Sequence, residues 1–126
     1  MSRLTRRTVT ALLAAAVPAC ILSPAFAHHG WSWTSDGNIE LTGVIRTAKL
    51  GNPHGVLTVE ADGEIWTVEV GQPWRNARAG LKDGDLAAGV EIIVQGQPAA
   101  DVRQKLMKAE RIILAGEVYD LYPDRS

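Results

Sequence analysis

Three histidines supply the imidazole ligands of this 126-residue chain, and two of them are adjacent. His28 and His29 follow Ala27, and His54 stands in the turn-like string Gly51-Asn52-Pro53-His54-Gly55. If the chain is cut after Ala27, His28 offers a free amine and an imidazole that can close a chelate ring on one ion. One further imidazole completes a three-nitrogen set, which suits the tetragonal preference and high affinity rank of Cu(II). His28 is therefore expected to chelate, with His54 as third ligand. His29 stays open, because neighbours in an extended chain point to opposite sides. The amino-terminal copper site that needs histidine in third place is excluded by Gly30. The same residues also have a plainer use. A polar His-His pair near a processed end can be solvated tail, and His54 can spend its ring on the backbone of its own turn.

Other side chains suit a ligand other than metal. Trp31 and Trp33 are two apart, so in an extended tail both rings face one side and can dock it on the domain or form an aromatic platform. With Trp66 and Trp74 they also serve as ordinary core aromatics. Arg75 and Arg78 are three apart, hence on one helical face, and with Asn76 they can hold a carboxylate or phosphate. Pairing with Asp83 and Asp85 is the alternative use of these arginines. Asn52, in the turn of His54, joins this set of ligand-binding candidates. The acids Glu60, Glu64 and Glu69 show no catalytic spacing, and no nucleophile elbow, phosphate loop or cysteine motif is present. An enzyme is not expected.

The segment ahead of these residues has the layout of an export signal. Arg3, Arg6 and Arg7 form a basic start, Val9 to Leu22 is apolar, and Ala25-Phe26-Ala27 is a small-x-small cleavage pattern. Residues 1–27 are read as a signal peptide, used by the general secretory route or, from the Arg6-Arg7 pair, by the twin-arginine route. Cys20, the only cysteine, lies in the apolar run. The alternative of a lipid attachment there is disfavoured by Pro18. Removing three of the 13 basic residues leaves 10 against 14 acids, a net charge of −4. A mildly acidic domain is a poor partner for nucleic acid, whose binding needs clustered positive charge. The expected setting is the periplasm, with contact to the membrane only through the signal. Partners there would be a metal ion or small ligand, with an envelope protein as a further candidate.

The elements that must position these residues are mostly strands. After a tail over 28–38, the domain over 39–126 reads as five runs. Ile39 to Leu50 alternates imperfectly, and Gly43 marks the point where its phase slips, which predicts a bulge. Val56 to Ala61 and Glu64 to Val70 flank Asp62-Gly63, which suits a two-residue type I′ hairpin turn. Pro73 can open a short helix over Trp74 to Ala79, and Gly80 can end it. Val90 to Val94 and Leu106 to Leu114 supply the last two strands, and Tyr119, Leu121 and Tyr122 form an apolar flap. The class is mainly β, and this order predicts a small OB-fold-like five-stranded barrel with one short helix between strands three and four. A β-sandwich would need more strands.

The strings HHGWSW, GNPHG, RNARAGL, VQG and LYPDR together resemble a family of small exported bacterial proteins known as domain of unknown function 6152. The resemblance implies an exported single-domain protein whose signature positions are His28, His29, Gly30, Trp31, Asn52, Pro53 and His54. It implies no activity. The leading expectation is a periplasmic binding protein holding copper or another late first-row metal. The alternative is a metal-free interaction module that takes a peptide, glycan or small anion on a barrel face.

Overall fold

In the computed structural model, residues 30–125 are described. Residues 1–27, which the sequence reads as an export signal, lie outside them, as do His28 and His29. The chain divides into two units, Met1–Ser32 and Trp33–Ser126. Trp31 belongs to the first and Trp33 to the second.

The second unit contains β1 (Ile39–Lys49), β2 (Val56–Ala61), β3 (Glu64–Glu69), α1 (Pro73–Arg78), β4 (Glu91–Pro98), β5 (Leu106–Leu114) and β6 (Glu117–Asp120). The strand order is β3-β2-β1-β4-β5-β6, and a parallel pairing of β3 with β5 closes the first five into a mixed barrel. With α1 between β3 and β4, this is the OB-type architecture. β6 lies outside the closed ring, paired among the described residues to β5 alone.

Alternation fills the interior. Leu57 and Val59 of β2, Val68 of β3, Ile92 and Val94 of β4 and Ile112 of β5 are all buried. The β2–β3 turn has the left-handed geometry that type I′ demands, with φ of 52° at Asp62 and 79° at Gly63. Pro73 opens α1, and Gly80 has φ +108° just past its end.

Three boundaries differ from the sequence reading, each for a local reason. The irregularity of β1 falls between Ile45 and Thr47, not at Gly43. Gly43 answers a different constraint, since a β-carbon there would collide with the Glu60 carbonyl oxygen of β2. β4 runs on to Pro98, because Gly96, Gln97 and Pro98 continue the ladder opposite Ala109, Lys108 and Met107. Its polar outer residues hide that extension from a hydrophobic pattern. The expected flap is split: Tyr119 sits in β6, which returns from β5 through Ala115 and Gly116, both at positive φ, while Leu121 is buried beyond it.

A β-bulge in the β4–β5 ladder has consequences for the site. Register passes from Gln95 opposite Arg111 to Gly96 opposite Ala109, which leaves Glu110 as the extra residue of β5. A β-carbon on Gly96 would collide with the Lys108 carbonyl oxygen, so glycine lets the backbones approach at this kink.

Candidate functional site: a covered polar row on the β3–β5 seam

Val68 and Met107 point into the barrel, so their neighbours Glu69 and Lys108 are turned outward. They are nevertheless 4% and 6% exposed, and Glu110 is 1% exposed. Outward residues become buried only when something covers the strand, and part of that cover is the carboxyl-terminal stretch. The Glu110 carbonyl accepts from the Leu121 and Tyr122 amides, at 2.9 and 3.2 Å. Its carboxylate accepts from Asn38 Nδ2 at 3.1 Å and lies 3.5 Å from Arg125 Nε. Ahead of β1, Ser35 N donates to the Pro98 carbonyl at 2.9 Å and Ala100 N to the Trp33 carbonyl at 3.0 Å. The Trp33 backbone is thus held beside the end of β4.

His54 joins this row through the β1–β2 loop. Gly55 N donates to the Gly71 carbonyl and Val70 N to the Gly55 carbonyl, each at 2.9 Å, which extends the β2–β3 ladder and sets the loop beside the end of β3. A β-carbon at Gly55 would come within 2.6 Å of Val70 Cγ2, so the close approach needs glycine. The ring of His54 has Nδ1 3.2 Å from the Gly55 carbonyl oxygen and Nε2 3.6 Å from Glu69 Oε1. With Nδ1–H donated to the carbonyl, Nε2 keeps its lone pair on the side of the carboxylate. Glu69 and Lys108 are register partners across the parallel seam, and Lys108 Nζ lies 4.0 Å from the same Oε1.

Arg75 closes the other side. It donates from Nη1 to the Leu121 carbonyl at 3.0 Å, and its guanidinium carbon stands 4.1 Å from the Tyr122 ring centre and 4.6 Å from that of Trp74. Lys108 Nζ is 5.9 Å from the same Tyr122 ring. Desolvation pulls the Lys108 ammonium below its ordinary range; Glu69 opposes this, and Arg125 and Arg75 add to it. Desolvation likewise raises the Tyr122 phenol. In the unfolded chain Lys108 regains its ordinary proton affinity, so its contribution to stability increases as pH rises from its folded value toward the unfolded one. Tyr122 acts in reverse, its contribution being lost as pH rises above 10.0 toward the folded value. In a lysine-labelled sample, the Lys108 13Cε resonance is expected to titrate below the ordinary 10.5. A midpoint at or above that value contradicts the burial argument.

The remaining sequence candidates divide. Asn76 is buried and spends its amide on the backbone of Gly71, accepting from N at 2.9 Å and donating to O at 3.0 Å. Asn52 is exposed in the loop of His54. Arg78 lines a cleft beside α1. Among the described residues neither Arg75 nor Arg78 forms a salt bridge with Asp83 or Asp85; the Asp85 carboxylate accepts instead from Lys82 N. Sequence reasoning misses Glu69, Lys108, Glu110, Tyr122 and Arg125 as site residues. The available signal was two charges, Lys108 and Glu110, inside the otherwise apolar run of β5.

Fold and site together define a small OB-type barrel with a covered, charged row on its β3–β5 seam. The chain belongs to a family of unknown function, DUF6152, whose model matches residues 16–107. The match includes the histidine pair, His54 and Glu69 and ends ahead of Lys108, Glu110, Tyr122 and Arg125. No curated protein matches the chain. Among solved structures, the chain is similar to one described as the ZRD-deleted mutant of TiaS in complex with agmatine, with a TM-score of 0.50 and 13% identity. That likeness covers 67% of this chain and 26% of the other, so this chain spans about a quarter of the matched structure's length. At that identity the likeness speaks for the fold alone.

Proposed function

We propose that the protein is an exported periplasmic binding protein that holds copper, or another late first-row metal, at the His54 end of the covered row. The observation that carries the reading is the setting of one imidazole: Nδ1 on the Gly55 carbonyl, Nε2 3.6 Å from Glu69 Oε1. Metal-binding histidines typically donate their second ring nitrogen to a carbonyl or carboxylate, which fixes the tautomer and aims the other lone pair. A nitrogen and a carboxylate oxygen at this spacing can share one ion, since each bonds a late first-row metal at roughly 2.0–2.2 Å. Among the described residues no group of three or more His, Cys, Asp or Glu is placed to hold a metal. Two donors come from His54 and Glu69. The rest of the set falls to His28, through its amine and ring after cleavage at Ala27, with His29 as a further candidate. Lys108 competes for Glu69, so its charge limits affinity for a dication.

Calorimetric titration of the processed protein with Cu(II) tests the reading. One equivalent is expected to bind, His54→Ala is expected to weaken binding about a hundredfold, and Glu69→Gln about tenfold. Lys108→Met is expected to strengthen it. Equal affinity in the native protein and the His54→Ala variant would remove His54 from the site and overturn the proposal.

A further inference from the structure

We infer that the cleft between α1 and β6 binds a small zwitterion that carries a carboxylate and an ammonium group on an apolar body, the chemistry of an apolar α-amino acid. The inference is independent of the metal reading. The cleft holds about 300 Å³ and is bounded by α1, β6 and the stretch that follows β6. That volume lies at the small end of ligand pockets.

Its two walls bear opposite charge. Arg75 and Arg78, three apart on α1, face it from the helix side. Val118 and Asp120, two apart on β6, face it from the strand side. Arg75 is committed to the Leu121 carbonyl and to the stack with Trp74 and Tyr122, so it forms a fixed wall. Arg78 makes no ion pair among the described residues, and its guanidinium carbon is 6.0 Å from the Trp74 ring centre. Asp120 has Oδ2 3.5 Å from Arg111 Nε, while Oδ1 is buried and accepts no hydrogen bond among the described residues. The χ2 torsion of aspartate is soft, so either oxygen can be turned to the cleft. Ala79, Val118 and Pro123 supply an apolar lining between the charges.

Charge complementarity selects the ligand class. A simple anion would meet Arg78 but be repelled by Asp120. A simple cation would meet Asp120 but face two guanidinium groups. A molecule with both ends satisfies both walls, and its apolar portion covers Val118, which is 57% exposed.

The test uses leucine as probe, with N-acetyl-leucine lacking the ammonium and leucinamide lacking the carboxylate. Leucine is expected to shift the amide resonances of Ala79, Val118 and Asp120, and each capped analogue is expected to bind at least about tenfold more weakly. The dipeptide Leu-Leu separates a single amino acid from a short peptide, either of which fits the inference. Arg78→Gln and Asp120→Asn, both at positions with solvent access, are each expected to weaken leucine binding about tenfold. No shift at these amides with millimolar leucine overturns the inference. So does equal binding of the capped analogues, or leucine affinity unchanged in both variants, the result expected if Arg78 and Asp120 close on each other.

Discussion

Gly96→Ala is expected to lower the unfolding midpoint by on the order of 15 °C. The added methyl would overlap the Lys108 carbonyl oxygen and come within 2.9 Å of Ala109 Cα, both backbone atoms of β5. Backbone cannot swing aside as a side-chain tip can, so relief requires spreading the β4–β5 ladder at its bulge. Overpacking of this kind costs about 3 kcal/mol, and for a domain near 100 residues each kcal/mol moves the midpoint by about 4–8 °C. Thermal unfolding followed by far-ultraviolet circular dichroism checks it. A loss of less than about 4 °C, the shift of a single kcal/mol, would show that the ladder yields easily and that glycine is not required there.

The second large effect is expected from Asn76→Ala. The Asn76 amide satisfies both polar groups of Gly71, a residue that is itself buried. Its removal leaves the Gly71 N–H without that acceptor, at a cost of roughly 1–3 kcal/mol for a buried donor. The Gly71 carbonyl keeps the Gly55 amide as a donor, so the loss on that side is smaller. A total near 3 kcal/mol is expected, read as a drop in denaturant midpoint at constant slope. Asn76→Asp distinguishes the two halves, because aspartate can still accept from Gly71 N–H but cannot donate to the carbonyl when ionised. Stability unchanged in Asn76→Ala would contradict the accounting. Because Gly71 also anchors Gly55, the same variant is expected to loosen the His54 loop, seen as faster amide exchange at Gly55.

Local rules read from the sequence reached most of the barrel. Asp62-Gly63, Pro73 and Gly80 each announce a backbone conformation that few other residues favour, and the turn and the helix ends fall where they stand. Gly43 shows the limit of such rules. Glycine marks both bulges and close approaches, and only the position of Glu60 on the neighbouring strand tells which applies. The site was legible in part. His54 and Arg75 stood out by residue type, yet Glu69 and Lys108 occupy strand positions that alternation assigns to the outside. Their burial depends partly on a covering stretch more than ten residues later in the chain, held by Glu110 and Arg75, and that is a tertiary fact. Asn76 reads as a ligand donor because it stands between two arginines that share one helical face and suit an anion. Nothing local shows that its amide turns back on Gly71.

The claim that His54 and Glu69 share a metal ion is tested most directly by where a paramagnetic ion sits. In the uniformly 15N-labelled processed protein, one equivalent of Cu(II) broadens the amide resonances of nuclei close to it. Signal is expected to be lost at His54, Gly55, Glu69 and Val70 and retained on the far side of the barrel, as at Asp62 and Gly63. Broadening confined to the first few residues of the processed chain, with His54 and Glu69 unaffected, would contradict it.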